Sequence, residues 1–280
     1  MRHSWGTPGR RRGPGVVMVV ASVLGAVVLS AGATPGAHQG AQPAVRPPKA
    51  PTSVSTTPAS VSTPTGSWIG AFNQVTPVAM NATVSSSVSP GSPVCGVFTM
   101  TDTTTGTQIV QNVAACTTGS GLVSVGTPSG SVVDGHRYTW TVFAREGALD
   151  SRIVSRSFRE DAMPPTVVSV TSTDYPSSTS GIPSHLHAGQ PGQFTVTTSD
   201  QAPTRGRASG ILRFEWQLDQ AFGVGSGPPP ETTTSGSLST TSGTFSVTPQ
   251  QWGSAILYVR ALDVAGNVSQ SAQYSFYVPS

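Results

Sequence analysis

"YVRALDVAGNVSQSAQYSFYV", from Tyr258 to Val278, decides how the chain is read. Leu257, Val259 and Ala261 share one face of an extended strand, and Tyr274, Phe276 and Val278 share one face of the strand that follows. Between them the segment from Asp263 to Asn267 reverses the chain. Gly266 and Asn267 tolerate positive φ, and Asp263 can accept hydrogen bonds from turn amides, so the residue choice has a structural cause. One carboxylate with one Asn is too few ligands for calcium, which takes about six to eight oxygens. Asp263, Gly266 and Asn267 are therefore expected to form a structural turn.

The same alternation recurs upstream. In Arg137 to Glu146, residues Tyr138, Trp140, Val142 and Ala144 fall on one face; Phe214, Trp216 and Leu218 do likewise, as do Phe194 and Val196. Trp140 and Trp216 are expected in the core. No segment beyond the N-terminal region repeats apolar residues at i, i+3, i+4 and i+7, so the fold class expected is all-β. An internal repeat sets the domain count: Val142-Phe143-Ala144-Arg145-Glu146 aligns with Val259-Arg260-Ala261-Leu262-Asp263 at an offset of 117, and Phe158 with Phe276 at 118. Two sandwiches of roughly 100 residues follow. Ala162-Met163-Pro164-Pro165 forces extended backbone and marks the boundary, giving modules at 68–162 and 165–280. Gly223 to Gly243, with Pro228-Pro229-Pro230, reads as a mobile loop, with a binding loop as the alternative.

Charged residues make up 10% of the chain, against roughly 25% in ordinary soluble domains, which implies a surface of hydroxyls. The net charge of +3 comes from Arg2, Arg10, Arg11 and Arg12, ahead of the apolar run from Val16 to Ala31. That is the pattern of a secretory signal, with Ala31-Gly32-Ala33 as the cleavage motif and Pro35-Gly36-Ala37 as a second candidate, so residues 1–33 are expected to be removed. The alternative is an uncleaved N-terminal anchor. Without those four arginines, 11 basic residues stand against 12 acidic ones, a net charge of −1, which excludes nucleic acid as a partner. The run is also shorter than the ~20 residues that a membrane-spanning helix needs, so no span is expected in the mature chain. Residues 34–67, rich in Pro, Thr, Ser, Ala and Gly, read as a disordered linker with too little apolar surface to offset the entropy of folding.

Cys95 and Cys116 are the only cysteines. In an exported chain they are expected to form a disulfide, worth on the order of 3 kcal/mol in the chain-entropy model; the alternative is two separate buried thiols.

"YVRALDVAGNVS" with "YSFYV" resembles the last two strands of bacterial immunoglobulin-like and fibronectin type III-like modules, in which a D-x-A-G-N turn recurs. "VTSTDYP" (Val170 to Pro176) with "GQPGQFTV" (Gly189 to Val196) is similar to the first half of that module in secreted actinobacterial surface proteins, and "DGHRYTWTVFAREG" with "SFRED" to the module before it. The resemblance covers about Trp68 to Ser280 and implies tandem sandwiches without catalytic residues. Such modules commonly stand beside a LamG-type jelly roll, which this sequence does not show; if the family's ligand contacts lie in that domain, the chain is expected to be a stalk or a truncated relative.

Chemistry-bearing residues are sparse. His185 and His187 lie two apart and could supply two metal ligands, with Asp174 or Asp200 as a third, but their Pro- and Gly-containing loop favours solvated imidazoles, so no metal or other cofactor is expected. Nucleophile, zinc and phosphate-loop motifs do not occur. Carboxylates for a secreted hydrolase could be drawn from Glu215, Asp219 and Glu231, the most distant of three readings. Tyr175, Trp252, Tyr277 and Trp68 fall in turns or on outward positions and are the candidates for stacking on sugars, although each could instead cover a sandwich end. The expectation is a monomeric, secreted, non-catalytic interaction or spacer protein at a bacterial surface. Its partners would be cell-wall or extracellular polysaccharide or another surface protein.

Overall fold

The computed structural model describes residues 46–70, 77–223 and 241–280, together with the backbone of 231–233, 235, 236 and 240. The signal expected at 1–33 and the first part of the arm lie outside the described residues. Among the described residues every regular element is a strand. The first ten are β1 (Thr52–Thr57), β2 (Val61–Thr63), β3 (Gly66–Ile69), β4 (Ala79–Ser85), β5 (Pro93–Asp102), β6 (Gln108–Thr118), β7 (Ser120–Gly126), β8 (Arg137–Glu146), β9 (Leu149–Asp150) and β10 (Val154–Glu160). They form a three-stranded sheet, β1-β4-β7, and a larger one in the order β2-β3-β10-β8-β5-β6, with β9 paired to β8. All pairs are antiparallel except β3 with β10.

The second sandwich holds β11 (Ser169–Thr171), β12 (Gly192–Ser199), β13 (Ile211–Leu218), β14 (Glu231–Thr233), β15 (Ser235–Gly236), β16 (Thr240–Val247), β17 (Gly253–Asp263) and β18 (Ala272–Val278). Its sheets run β11-β12-β16-β15 and β14-β13-β17-β18. The fold is all-β, as the period-2 patterning predicts.

Each sandwich buries one core. In the first, Tyr138, Trp140, Val142 and Ala144 of β8 meet Met80, Ala82 and Val84 of β4 from the opposite sheet. Tyr138 stacks on Phe158 at 5.2 Å, and its hydroxyl oxygen accepts the Val133 amide at 2.7 Å, which ties the β8 approach to the core. In the second, Phe194, Phe214, Leu257, Val259 and Phe276 form the centre. Phe158 and Phe276, matched by the repeat, are both buried. Trp216 differs from expectation: it is half-buried and stacks on Phe245 at 5.2 Å at the margin of the core.

Cys95 and Cys116 stand opposite each other on β5 and β6 and form a disulfide. It fastens two strands that already pair.

Two boundaries are corrected. The linker expected at 34–67 contains β1, β2 and part of β3, so the first sandwich begins well before Trp68. Its strands are held by main-chain bonds to β4 and β10, which need no apolar sequence, and Pro48, Pro51 and Thr56 are nevertheless buried. The stretch from Gly223 to Gly243, expected to be irregular, contains β14, β15 and the start of β16; residues 224–230 lie outside the described residues. The boundary at Ala162 to Pro165 falls between β10 and β11.

Candidate functional site

Asp161, Asp200 and Asp263 each stand at the C-terminal end of a strand: just after β10, just after β12, and as the last residue of β17. The first belongs to one sandwich and the other two to the next. All three strands end at the seam between the sandwiches, and one carboxylate oxygen from each Asp lies within 4.8 Å of the other two. The three residues are 0%, 5% and 0% exposed.

The backbone around them is fitted closely. Asp161 Oδ1 accepts the Met163 amide and its Oδ2 the Ser209 amide at 2.6 Å, a bond that crosses the seam. Asp263 Oδ1 accepts the Asn267 amide at 2.8 Å and Oδ2 the Asn267 side-chain amide at 2.7 Å. The same side-chain amide also donates to Asp161 O at 2.7 Å, so the D-x-A-G-N turn grips the other sandwich. Asp200 Oδ2 accepts the Gly210 amide at 2.6 Å, while its buried Oδ1 has no hydrogen-bond partner.

Glycine makes the seam possible at two points. A Cβ on Gly70 would stand 2.5 Å from Ala265 O, and one on Gly135, at φ 78°, would stand 1.7 Å from Arg205 O. Backbone meets backbone there, and no rotamer change relieves the overlap. Gly70→Ala should therefore destabilise the full chain by about 1–3 kcal/mol, read from urea unfolding. Gly91→Ala, where the added methyl meets nothing within 4 Å, should leave the midpoint in place.

Charge is the notable property of the cluster. Among the described residues no Arg, Lys or His forms an ion pair with the three carboxylates. Two unit charges 4.8 Å apart repel by roughly 3 kcal/mol at an effective dielectric near 20. Burial, reinforced by the neighbouring carboxylates, pushes Asp263 up to about 7 and Asp200 up to about 6, and burial also raises Asp161, with Asp134 adding to the effect. The cluster therefore gives up its protons at higher pH than free carboxylates do.

The structure scatters the other candidates. Tyr175 is fully buried, so it offers no face to a sugar: its ring lies 5.2 Å from Phe276 and 6.1 Å from Phe194, over Gly192, where a Cβ would collide with it. Trp68 is 1% exposed because β3 is flanked by β2 and β10, with the Arg159 guanidinium 5.9 Å from its ring. Tyr175 belongs to the second core, whereas Trp68 is buried beside Arg159 and belongs to neither core. Trp252 and Tyr277 are exposed, at 69% and 52%. His187 Nδ1 lies 2.9 Å from Ser280 O, and neither His185 nor His187 joins a group of three metal-ligating side chains among the described residues. Asp174, offered as their partner, accepts the Gln193 amide, and Asp200 belongs to the seam.

Glu215 is buried between two guanidinium groups: Oε1 is 2.9 Å from Arg213 Nη2 and Oε2 is 2.6 Å from Arg260 Nη2. A carboxylate so clamped is a structural counter-ion. Asp219 accepts the Ile256 amide at 2.7 Å, and Glu231 pairs with Glu215 in the strand register, its side chain lying outside the described residues.

Asp263, Gly266 and Asn267 do form the turn between β17 and β18, with Gly266 at φ 98°. Asp161 and Asp200 reach this turn from elsewhere in the chain. The available signal is positional: each Asp directly follows or ends a strand and precedes a Pro- or Gly-containing loop.

Compared with family models the chain matches none, and it matches no curated protein. Among solved structures it is similar to the fibronectin(III)-like modules of Clostridium thermocellum CbhA, with 16% identity over 76% of this chain and 89% of that one and a TM-score of 0.41. It is also similar to the FN1-FN3 domains of chicken CNTN1, with 12% identity over 84% and 66% of the two chains and a TM-score of 0.40. A third similarity is to red sea bream transglutaminase, with 10% identity over 74% and 29% and a TM-score of 0.28.

Proposed function

We propose that the chain is an exported, non-catalytic spacer or interaction protein at a bacterial surface. The observation that carries this reading is the seam. A spacer must present its far end at a fixed distance and direction, and the hydrogen bonds from Ser209 and Asn267 to Asp161, with the Gly70 and Gly135 backbone contacts, set the two sandwiches in one orientation. The hydroxyl-rich surface, the signal-like N-terminus and the disulfide support export.

A second reading, binding to cell-wall or extracellular polysaccharide, is favoured by Trp252 and Tyr277. Both rings are exposed, and they flank the paired ends of β17 and β18, where Gly253 is opposite Val278. Flat rings at a sandwich end can stack on sugar faces.

Co-sedimentation of the purified protein with bacterial cell walls and insoluble polysaccharides, at low and high salt, separates the two. The spacer reading expects the protein in the supernatant throughout. Salt-resistant retention lost by about tenfold or more in Trp252→Ala would replace it with the second reading.

A further inference from the structure

We propose that Asp161, Asp200 and Asp263 form a calcium site that fastens the two sandwiches together. The inference rests on the seam geometry and not on where the protein resides. Three carboxylates converge within 4.8 Å, all buried, with no cationic side chain paired to them among the described residues. The independent observation is Asp200: the residue is 5% exposed, its carboxylate lies within the cluster, and its Oδ1 accepts no hydrogen bond. A buried carboxylate oxygen without a well-formed hydrogen bond is a strong acceptor short of a donor, and in a native interior such an atom calls for a proton or a ligand.

The donor set selects the ion. Every ligand is a carboxylate oxygen, which suits a hard cation and not the softer metals that take His and Cys. Calcium binds oxygens at about 2.3–2.6 Å, so two ligands of one ion lie up to about 5 Å apart, which accommodates the separation here. Three carboxylates offer up to six oxygens between them, and those that accept an amide N–H keep a second lone pair. Magnesium prefers to retain several waters, which a seam enclosed by Ser209, Asn267 and their backbone does not favour. A divalent ion would cancel two of the three charges and draw ligands from both sandwiches onto one centre.

The test is equilibrium dialysis of the chelator-stripped full chain against radioactive calcium at pH 7.5. The expected result is about one ion per chain, with half-saturation at millimolar calcium or below. Asp200→Asn and Asp263→Asn, both near-isosteric, should each weaken binding by tenfold or more, whereas Asp150→Asn, an exposed acid paired to Arg145, should not. A tenfold excess of magnesium should not displace the ion. No binding to the wild-type chain at 10-fold the expected half-saturation would overturn the proposal, and so would full binding by Asp200→Asn. Should both seam variants fail to fold, amide exchange of the wild-type chain decides: calcium should slow Ser209, Gly210 and Asn267, and slowing confined to other segments overturns the assignment.

Discussion

In the presence of a chelator, raising the pH from 5 to 8 is expected to destabilise the protein, opposite to the behaviour of carboxylates held in ion pairs. Asp263 and Asp200 have folded-state values of about 7 and about 6, above the ordinary 3.8, and Asp161 is raised in the same direction. Burial is the first cause in each, and the three carboxylates oppose one another's ionisation. Between about pH 4 and 7 the native state therefore binds more protons than the unfolded chain, and the associated stability is present at low pH and lost as the pH rises through 7. For Asp263 alone, the portion of that shift lying between pH 5 and about 7 corresponds to on the order of 3 kcal/mol. The trio titrates as a unit, so its parts do not add separately. A loss of that size lowers the thermal midpoint by roughly 10 °C for a unit of this length. Circular-dichroism melts in chelator at the two pH values measure it. A midpoint that stays level or rises at pH 8 contradicts the seam as described, and Asp263→Asn should flatten the dependence.

Trp140→Ala is the second large effect. Trp140 is 1% exposed, lies 6.3 Å from Phe98 centroid to centroid, and sits on the central strand β8 between β5 and β10. Truncation removes the largest side chain of the first core and leaves a cavity that paired strands on both sides cannot collapse to fill, with a loss of about 3–5 kcal/mol. The unfolding of the first sandwich should move down by roughly 15 °C. Trp216→Ala in the second sandwich, half-buried at the margin, should cost distinctly less. Equal effects of the two substitutions would contradict the placement of Trp140.

The contrast between these residues shows what a single sequence encodes openly. Strand faces are local: alternation in Arg137 to Glu146 and in Leu257 to Ala261 is enough to place Tyr138, Trp140, Val259 and Ala261 in a core. The repeat is also local in kind, since Phe158 and Phe276 are each read against their own neighbours. Strands made by main-chain bonds are less visible, which is why β1 and β2 hide in a Pro/Thr/Ser-rich arm. The seam is hidden for another reason. Asp161, Asp200 and Asp263 are far apart in the chain, and their convergence depends on the polarity of three strands and on how one sandwich meets the next. Tyr175 and Trp68 were misjudged similarly, because a loop or edge position in sequence says little about what folds over it.

The central claim is that the seam holds the two sandwiches as one rigid body. Nitrogen-15 relaxation of the full chain in calcium measures this directly, through the rotational correlation time of each sandwich. The account predicts one shared correlation time for amides in β8 and β17, as for a single particle containing both sandwiches. Two shorter, separate correlation times, each that of a sandwich tumbling alone, would contradict it.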